Sequence, residues 1–216
     1  AKIMSAFMLA AFTEDLIAAH KNCEKLMPFV HLPVQSGSDK ILNAMNRKHT
    51  IEEYLKIIRK LIEIRPDIKF SSDFIIGYPG ENNKDFIKTI NLLNEVKFIN
   101  SFSFLFSARP GTPAYKLKEG DHTVLKNRLI KFQKIAENIK TSYRKNLINK
   151  TARVLFENKM KSGNKYFGRD EYFNSVIVES DIDLTGHIKD VKILKGNHNT
   201  LFAEVISNVK KTNCAA

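Results

Sequence analysis

HLPVQSGSDK, residues 31–40, is the stretch from which the fold is read. Residues 29–34 form a short apolar run broken only by Pro33, the pattern of a buried strand. Gln35-Ser36-Gly37-Ser38 then turns the chain toward a helix starting near Ser38 and Asp39. A strand running through a Gly/Ser turn into a helix presents N–H groups and hydroxyls at the carboxyl end of a sheet. That is where α/β folds bind polar and anionic ligands. The spacing is not that of a phosphate loop, so on spacing alone an ordinary βα loop with Ser38 as N-cap is the better reading.

Outward from this turn, strand and helix alternate. Thr13-Glu14-Asp15 opens a helix reaching about Asn22, with acids in the first turn. After the anchor strand, Ile41, Leu42 and Met45 mark a helix, and Thr50 with Glu53 makes a capping box for the next. That helix carries Tyr54, Leu55, Ile58, Leu61 and Ile62 and stops before Pro66. Residues 69–77 read as a strand with Phe70, Phe74 and Ile76 on one face, followed by the Gly77-Tyr-Pro-Gly80 turn and a helix over 83–96. Residues 99–107 alternate with period two, and Phe102, Phe104 and Phe106 are assigned to the core. A long helix over 123–148 follows the Pro110–Pro113 loop. The expected architecture is α/β, with a parallel sheet of three strands, too few to close a barrel, and an exposed edge at the anchor strand.

The pattern changes after Lys150. Residues 151–160, 165–168, 173–179, 188–194 and 201–207 read as five short strands, the signature of a small OB-like β-barrel. The domains expected are therefore 1–148, 149–210 and a tail over 211–216.

The chain of 216 residues carries 35 Lys and Arg against 23 acids, a formal net charge of +12, which points to a polyanionic partner. The excess concentrates on the long helix, from Lys126 to Lys150, and on the β-rich part. There Lys159, Lys161 and Arg169 lie near Tyr166 and Tyr172, the combination single-stranded RNA needs. Phe156 and Phe173 are assigned to the barrel core; for the two tyrosines core and base-stacking roles stand level. The two cysteines, Cys23 and Cys214, form no metal motif and no disulfide framework, and are read as free thiols of a cytoplasmic protein. No apolar run reaches membrane-spanning length. The opening AKIMSAFMLAAF is too short and lacks the cleavage pattern of a secretory signal.

No nucleophile–base pair, metal cluster or phosphate loop appears at a specific spacing. His31 reads as a hydrogen-bonded core residue, and Asp73, set in an apolar strand, must be paired or functional. Gln35, Ser36, Asp73, Gly77, Glu81 and Arg109 fall together near one end of the sheet.

HLPVQSGSDKILNAMNRKHT (31–50), SSDFIIGYPGE (71–81) and FSARPGTPAY (106–115), in this order, resemble the radical S-adenosylmethionine methylthiotransferases of the MiaB type. The likeness covers about residues 13–207. It implies the C-terminal half of a partial βα barrel followed by a TRAM domain, an RNA-binding barrel. It further implies S-adenosylmethionine and [4Fe–4S] clusters as cofactors of a complete enzyme acting on the anticodon stem-loop of tRNA. That enzyme adds a methylthio group at C2 of N6-isopentenyl-adenosine beside the anticodon. By the same resemblance Gln35 and Ser36 contact the ribose or amino-acid part of the cofactor. Glu81 lies at the pocket's polar periphery, and Arg109 could meet the cofactor's carboxylate. The CxxxCxxC cluster motif is absent from this sequence, so the chain is expected to be inactive alone and to await a separate N-terminal half. Two alternatives stay open: a truncated, non-catalytic RNA-binding protein, and a sibling enzyme acting on threonylcarbamoyl-adenosine or a ribosomal protein.

Overall fold

A computed structural model describes residues 3–6, 13–161 and 163–206. The chain divides between Ser142 and Tyr143 into two compact units. The division falls inside the long helix, ahead of the Asn149 boundary expected from the sequence.

The first unit holds a parallel sheet in the order β1-β2-β3-β4: Ile3–Ala6, Leu26–His31, Lys69–Ile76 and Asn100–Leu105. The sequence pattern indicated three strands; the fourth, β1, pairs with the anchor strand β2 through Ile3↔Leu26 and Ala6↔His31. The anchor strand is therefore internal, and the edges are β1 and β4. Four residues are too few to display period two, so β1 is unreadable inside an apolar run. Strand β2 also begins earlier and ends earlier than its apolar run: Pro33 has no N–H for a ladder, and pairing resumes only at the Gln35–Phe74 bridge.

The helices α1 (Glu14–Asn22), α2 (Asp39–Ala44), α3 (Ile51–Ile64), α4 (Asn83–Val96) and α5 (His122–Lys145) start where the side chains allow. Thr50 and Glu53 close the capping box opening α3, and Asn82 with Asp85 builds another on α4. Right-handed crossovers lay helices on one face of the sheet. There Val30, Leu32, Val34, Phe70, Phe74 and Ile76 pack against Ile17, Tyr54, Ile58, Leu61, Phe86, Leu93 and Phe132. Phe102 and Phe104 correct the sequence reading: they are 53% and 58% exposed, on the opposite face. Period two fixed that they share a face but not which face the helices cover.

The second unit contains a closed five-stranded barrel in the order β5-β6-β7-β9-β8: Thr151–Lys159, Lys165–Asp170, Ser175–Glu179, Ile188–Gly196 and Thr200–Val205. Val154, Phe156, Tyr166, Val176, Val178, Leu184, Val191, Ile193 and Leu201 fill it. Gly168 lets β6 approach β5, since a Cβ there would stand 2.4 Å from the Leu155 carbonyl oxygen. Phe173, assigned to the core by sequence, is 38% exposed. It sits at φ 64° in a turn where Asp170 Oδ1 accepts from the N–H groups of Tyr172 and Asn174, so β7 begins only at Ser175.

Candidate functional site

At the carboxyl end of β2 the chain passes through Gln35, held at φ 75°, whose N–H donates to the Asp73 carbonyl and whose carbonyl accepts from Ile75 N–H. The next turn lies against α4. The Thr89 hydroxyl accepts from Gly37 N–H at 2.9 Å and stands 3.4 Å from the Ser36 hydroxyl, which itself accepts from Ser38 N–H. Only glycine fits at 37, where a Cβ would come within 2.5 Å of the Lys88 carbonyl oxygen. Ser38 occupies the N-cap position of α2 but does not cap with its side chain; its hydroxyl donates to Asp85 at 2.8 Å.

After β3, Gly77 and Gly80 take positive φ to form the turn, and Glu81 folds back to accept from Gly77 N–H at 2.7 Å. The Glu81 carboxylate is buried and pairs with Arg128 of α5 at 3.2 Å. Burial pushes its pKa above the ordinary range, against the pull of Gly77 N–H and Arg128. Gln35, Ser36 and Glu81 are thus brought to one end of the sheet, where Ser36 and Glu81 are engaged by protein partners. Arg109 is exposed on the loop after β4. Arg128, which fixes Glu81, carried no sequence signal because it stands within a run of helical cations.

The sheet face opposite these helices carries a polar line that the sequence reading noted only as separate residues. His31 Nδ1 lies 2.8 Å from the Ser71 hydroxyl, its register partner on β3, and His31 Nε2 lies 3.5 Å from Asp73. The Phe102 ring meets the imidazole edge to face at 6.2 Å. Ser71 is 1% exposed, which keeps its hydroxyl from attacking a substrate; it orients the imidazole. Strand alternation could have found this group, because His31, Ser71, Asp73, Phe102 and Phe104 all lie opposite the helix-covered positions.

On the barrel, Lys159 and Lys161 are exposed and Arg169 is half-buried beside Glu157 at 3.1 Å. Tyr166 corrects the stacking role considered for it. At 2% exposure it belongs to the core, so no base can lie on it. Tyr172 is half-buried, its ring edge-on to Tyr143 at 6.4 Å.

The radical SAM superfamily profile matches residues 4–93. Over 199 residues the chain is 53% identical to the tRNA-2-methylthio-N(6)-dimethylallyladenosine synthase of Pelagibacter ubique, spanning 92% of this chain and 45% of that protein. The same enzyme of Vesicomyosocius okutanii is 45% identical over the same shares of the two chains. This chain is a homologue of the MiaB-type tRNA methylthiotransferases. It spans less than half the length of the curated relatives it matches. Among solved structures, the radical SAM enzyme coproporphyrinogen III oxidase from Escherichia coli superposes with a TM-score of 0.55 at 13% identity, over 79% of this chain and 46% of that one, which supports the fold alone.

Of the cofactors such a homologue implies, the [4Fe–4S] cluster does not fit this chain's own side chains. Such a cluster takes Cys thiolates, and the sequence has two cysteines, of which Cys23 is exposed and Cys214 lies outside the described residues. Among the described residues no group of three His, Cys, Asp or Glu could hold a metal ion, and no helix is long and apolar enough to cross a membrane.

Proposed function

We propose that this chain is the C-terminal portion of a tRNA methylthiotransferase that adds a methylthio group at C2 of N6-isopentenyl-adenosine beside the anticodon. The observation that carries the proposal is the 53% identity across nine-tenths of the chain. The parallel sheet, with its polar carboxyl end, is read as the half-barrel of such an enzyme, and the five-stranded barrel that follows it in sequence is read as the TRAM domain. In this reading Gln35 and Arg109 face the bound S-adenosylmethionine. Ser36 and Glu81 hold the two turns that shape its pocket, Ser36 through Thr89 and Glu81 through Gly77 and Arg128. When bound, S-adenosylmethionine supplies the methyl group and the radical precursor. In this reading the cluster thiolates come from outside this sequence. Lys159, Lys161, Arg169 and Tyr172 belong to the surface that meets the anticodon stem-loop.

The test pairs this chain with a polypeptide carrying the cysteine-bearing N-terminal part of a relative, under anaerobic reconstitution with iron and sulfide. Nucleoside mass spectrometry of isopentenylated tRNA should then show the methylthio product, and the chain alone should give none. A pair that binds S-adenosylmethionine and tRNA yet forms a methylthio product only on another substrate would move the assignment to a sibling enzyme. A pair that binds tRNA but not S-adenosylmethionine would favour a non-catalytic RNA-binding protein.

A further inference from the structure

We propose that the outer face of β6, β7 and β9 is a stacking platform for unpaired nucleobases, with Phe167 and Phe202 as its rings. The proposal rests on the RNA-binding reading above and locates where bases are held. Along β6 and β9 the inward positions are buried core, so Phe167 and Phe202 point out of the barrel, as Ile177 does from β7. The three are in one register: Phe167 pairs with Ile177, and Ile177 pairs with Phe202. Two aromatic rings therefore stand two strands apart, about 10 Å, bridged by an isoleucine.

Each ring is half-buried and has a cation over it. The Arg169 guanidinium lies 5.4 Å from the Phe167 ring centre and 5.1 Å from that of Phe173, while Glu157 holds its Nε. Lys195 Nζ lies 5.5 Å from the Phe202 ring and is the register partner of Phe202 on β8. A protein-binding patch is depleted of charge at its centre, and a duplex offers phosphates but no accessible base faces. Rings each paired with a cation match a single strand, whose bases stack on rings and guanidinium planes while its phosphates meet Arg and Lys. Tyr166, one of the two tyrosines for which the sequence left a stacking role open, is excluded by burial, and the outward-facing phenylalanines take its place.

The experiment measures anisotropy of the 216-residue chain with a labelled single-stranded oligoribonucleotide and with a hairpin duplex of equal length. Phe167→Ala with Phe202→Ala should weaken single-strand binding by at least about tenfold, leaving the salt slope and duplex binding unchanged. Phe167→Tyr with Phe202→Tyr should retain binding, because stacking needs the ring. Circular dichroism confirms that each variant folds, and both positions lie outside the core. Wild-type single-strand affinity in the folded alanine variant overturns the platform while leaving RNA binding by the chain intact. Absence of binding by the wild-type chain to either RNA overturns the platform and the RNA-binding reading together. Equal loss on strand and duplex overturns base stacking in favour of a surface that reads backbone alone.

Discussion

The Ser38 hydroxyl donates to Asp85 Oδ1 across 2.8 Å, joining the turn after β2 to the first turn of α4. The other carboxylate oxygen accepts from Lys40 Nζ at 3.0 Å and Asn82 N–H at 3.1 Å. Burial alone would raise the Asp85 pKa, but Asn82 N–H, the Ser38 hydroxyl and Lys40 outweigh it and the net shift is downward. Asp85→Ala should cost about 3 kcal/mol, since it strands buried donors, and Ser38→Ala about 1 kcal/mol. Urea midpoints for the first unit check both, and a smaller loss for Asp85→Ala than for Ser38→Ala would contradict the arrangement.

Gly37→Ala tests the close approach between this turn and α4. The added methyl meets the Lys88 carbonyl oxygen and Thr89 Cα at 2.5 Å, both on helical backbone that cannot yield cheaply. A destabilisation of about 1–3 kcal/mol is expected in the same urea titration. Gly80→Ala, with open space around the added methyl, should lose stability only through its positive φ.

Glu81 gives a pH dependence of the opposite sign to that of Asp85. Its folded pKa lies above the ordinary 4.5, chiefly because burial disfavours the charge. Its contribution to stability is therefore complete below pH 4.5 and is lost as pH rises through the raised folded value. Glu81→Gln removes that loss, so the variant should gain on the wild type as pH rises from mildly acidic toward neutral. Thermal midpoints across that window measure it; a variant that loses ground as pH rises would show that the Arg128 pair outweighs burial.

On the barrel, core and surface variants should separate. Tyr166→Ala should destabilise the second unit by about 3 kcal/mol, because it empties a buried site. The triple change Lys159→Ala, Lys161→Ala, Arg169→Ala should leave stability nearly unchanged and lower the log–log salt slope of tRNA binding by up to about three. Binding titrations at several salt concentrations decide this, and an unaltered slope would place the phosphate contacts on the basic stretch of α5 instead.

Local signals in the sequence determined most of the elements. Thr50 and Glu53 mark the start of α3 because the capping box closes within four residues, and residues 83–96 repeat apolar side chains at helical spacing. The three motifs likewise named the relatives, since matching residues at matching intervals needs no three-dimensional information. Tertiary structure decided what depends on partners distant in the chain. Whether Phe102 and Phe104 face helices or solvent follows from the hand of the crossovers, which strand alternation does not encode. Whether Tyr166 or Phe167 points into the barrel follows from the β5–β6 register and its bulge after Phe156. The partners of Glu81 and Asp85 lie 47 residues away at Arg128 and Ser38, and only the folded chain brings those charges and hydroxyls within hydrogen-bonding distance.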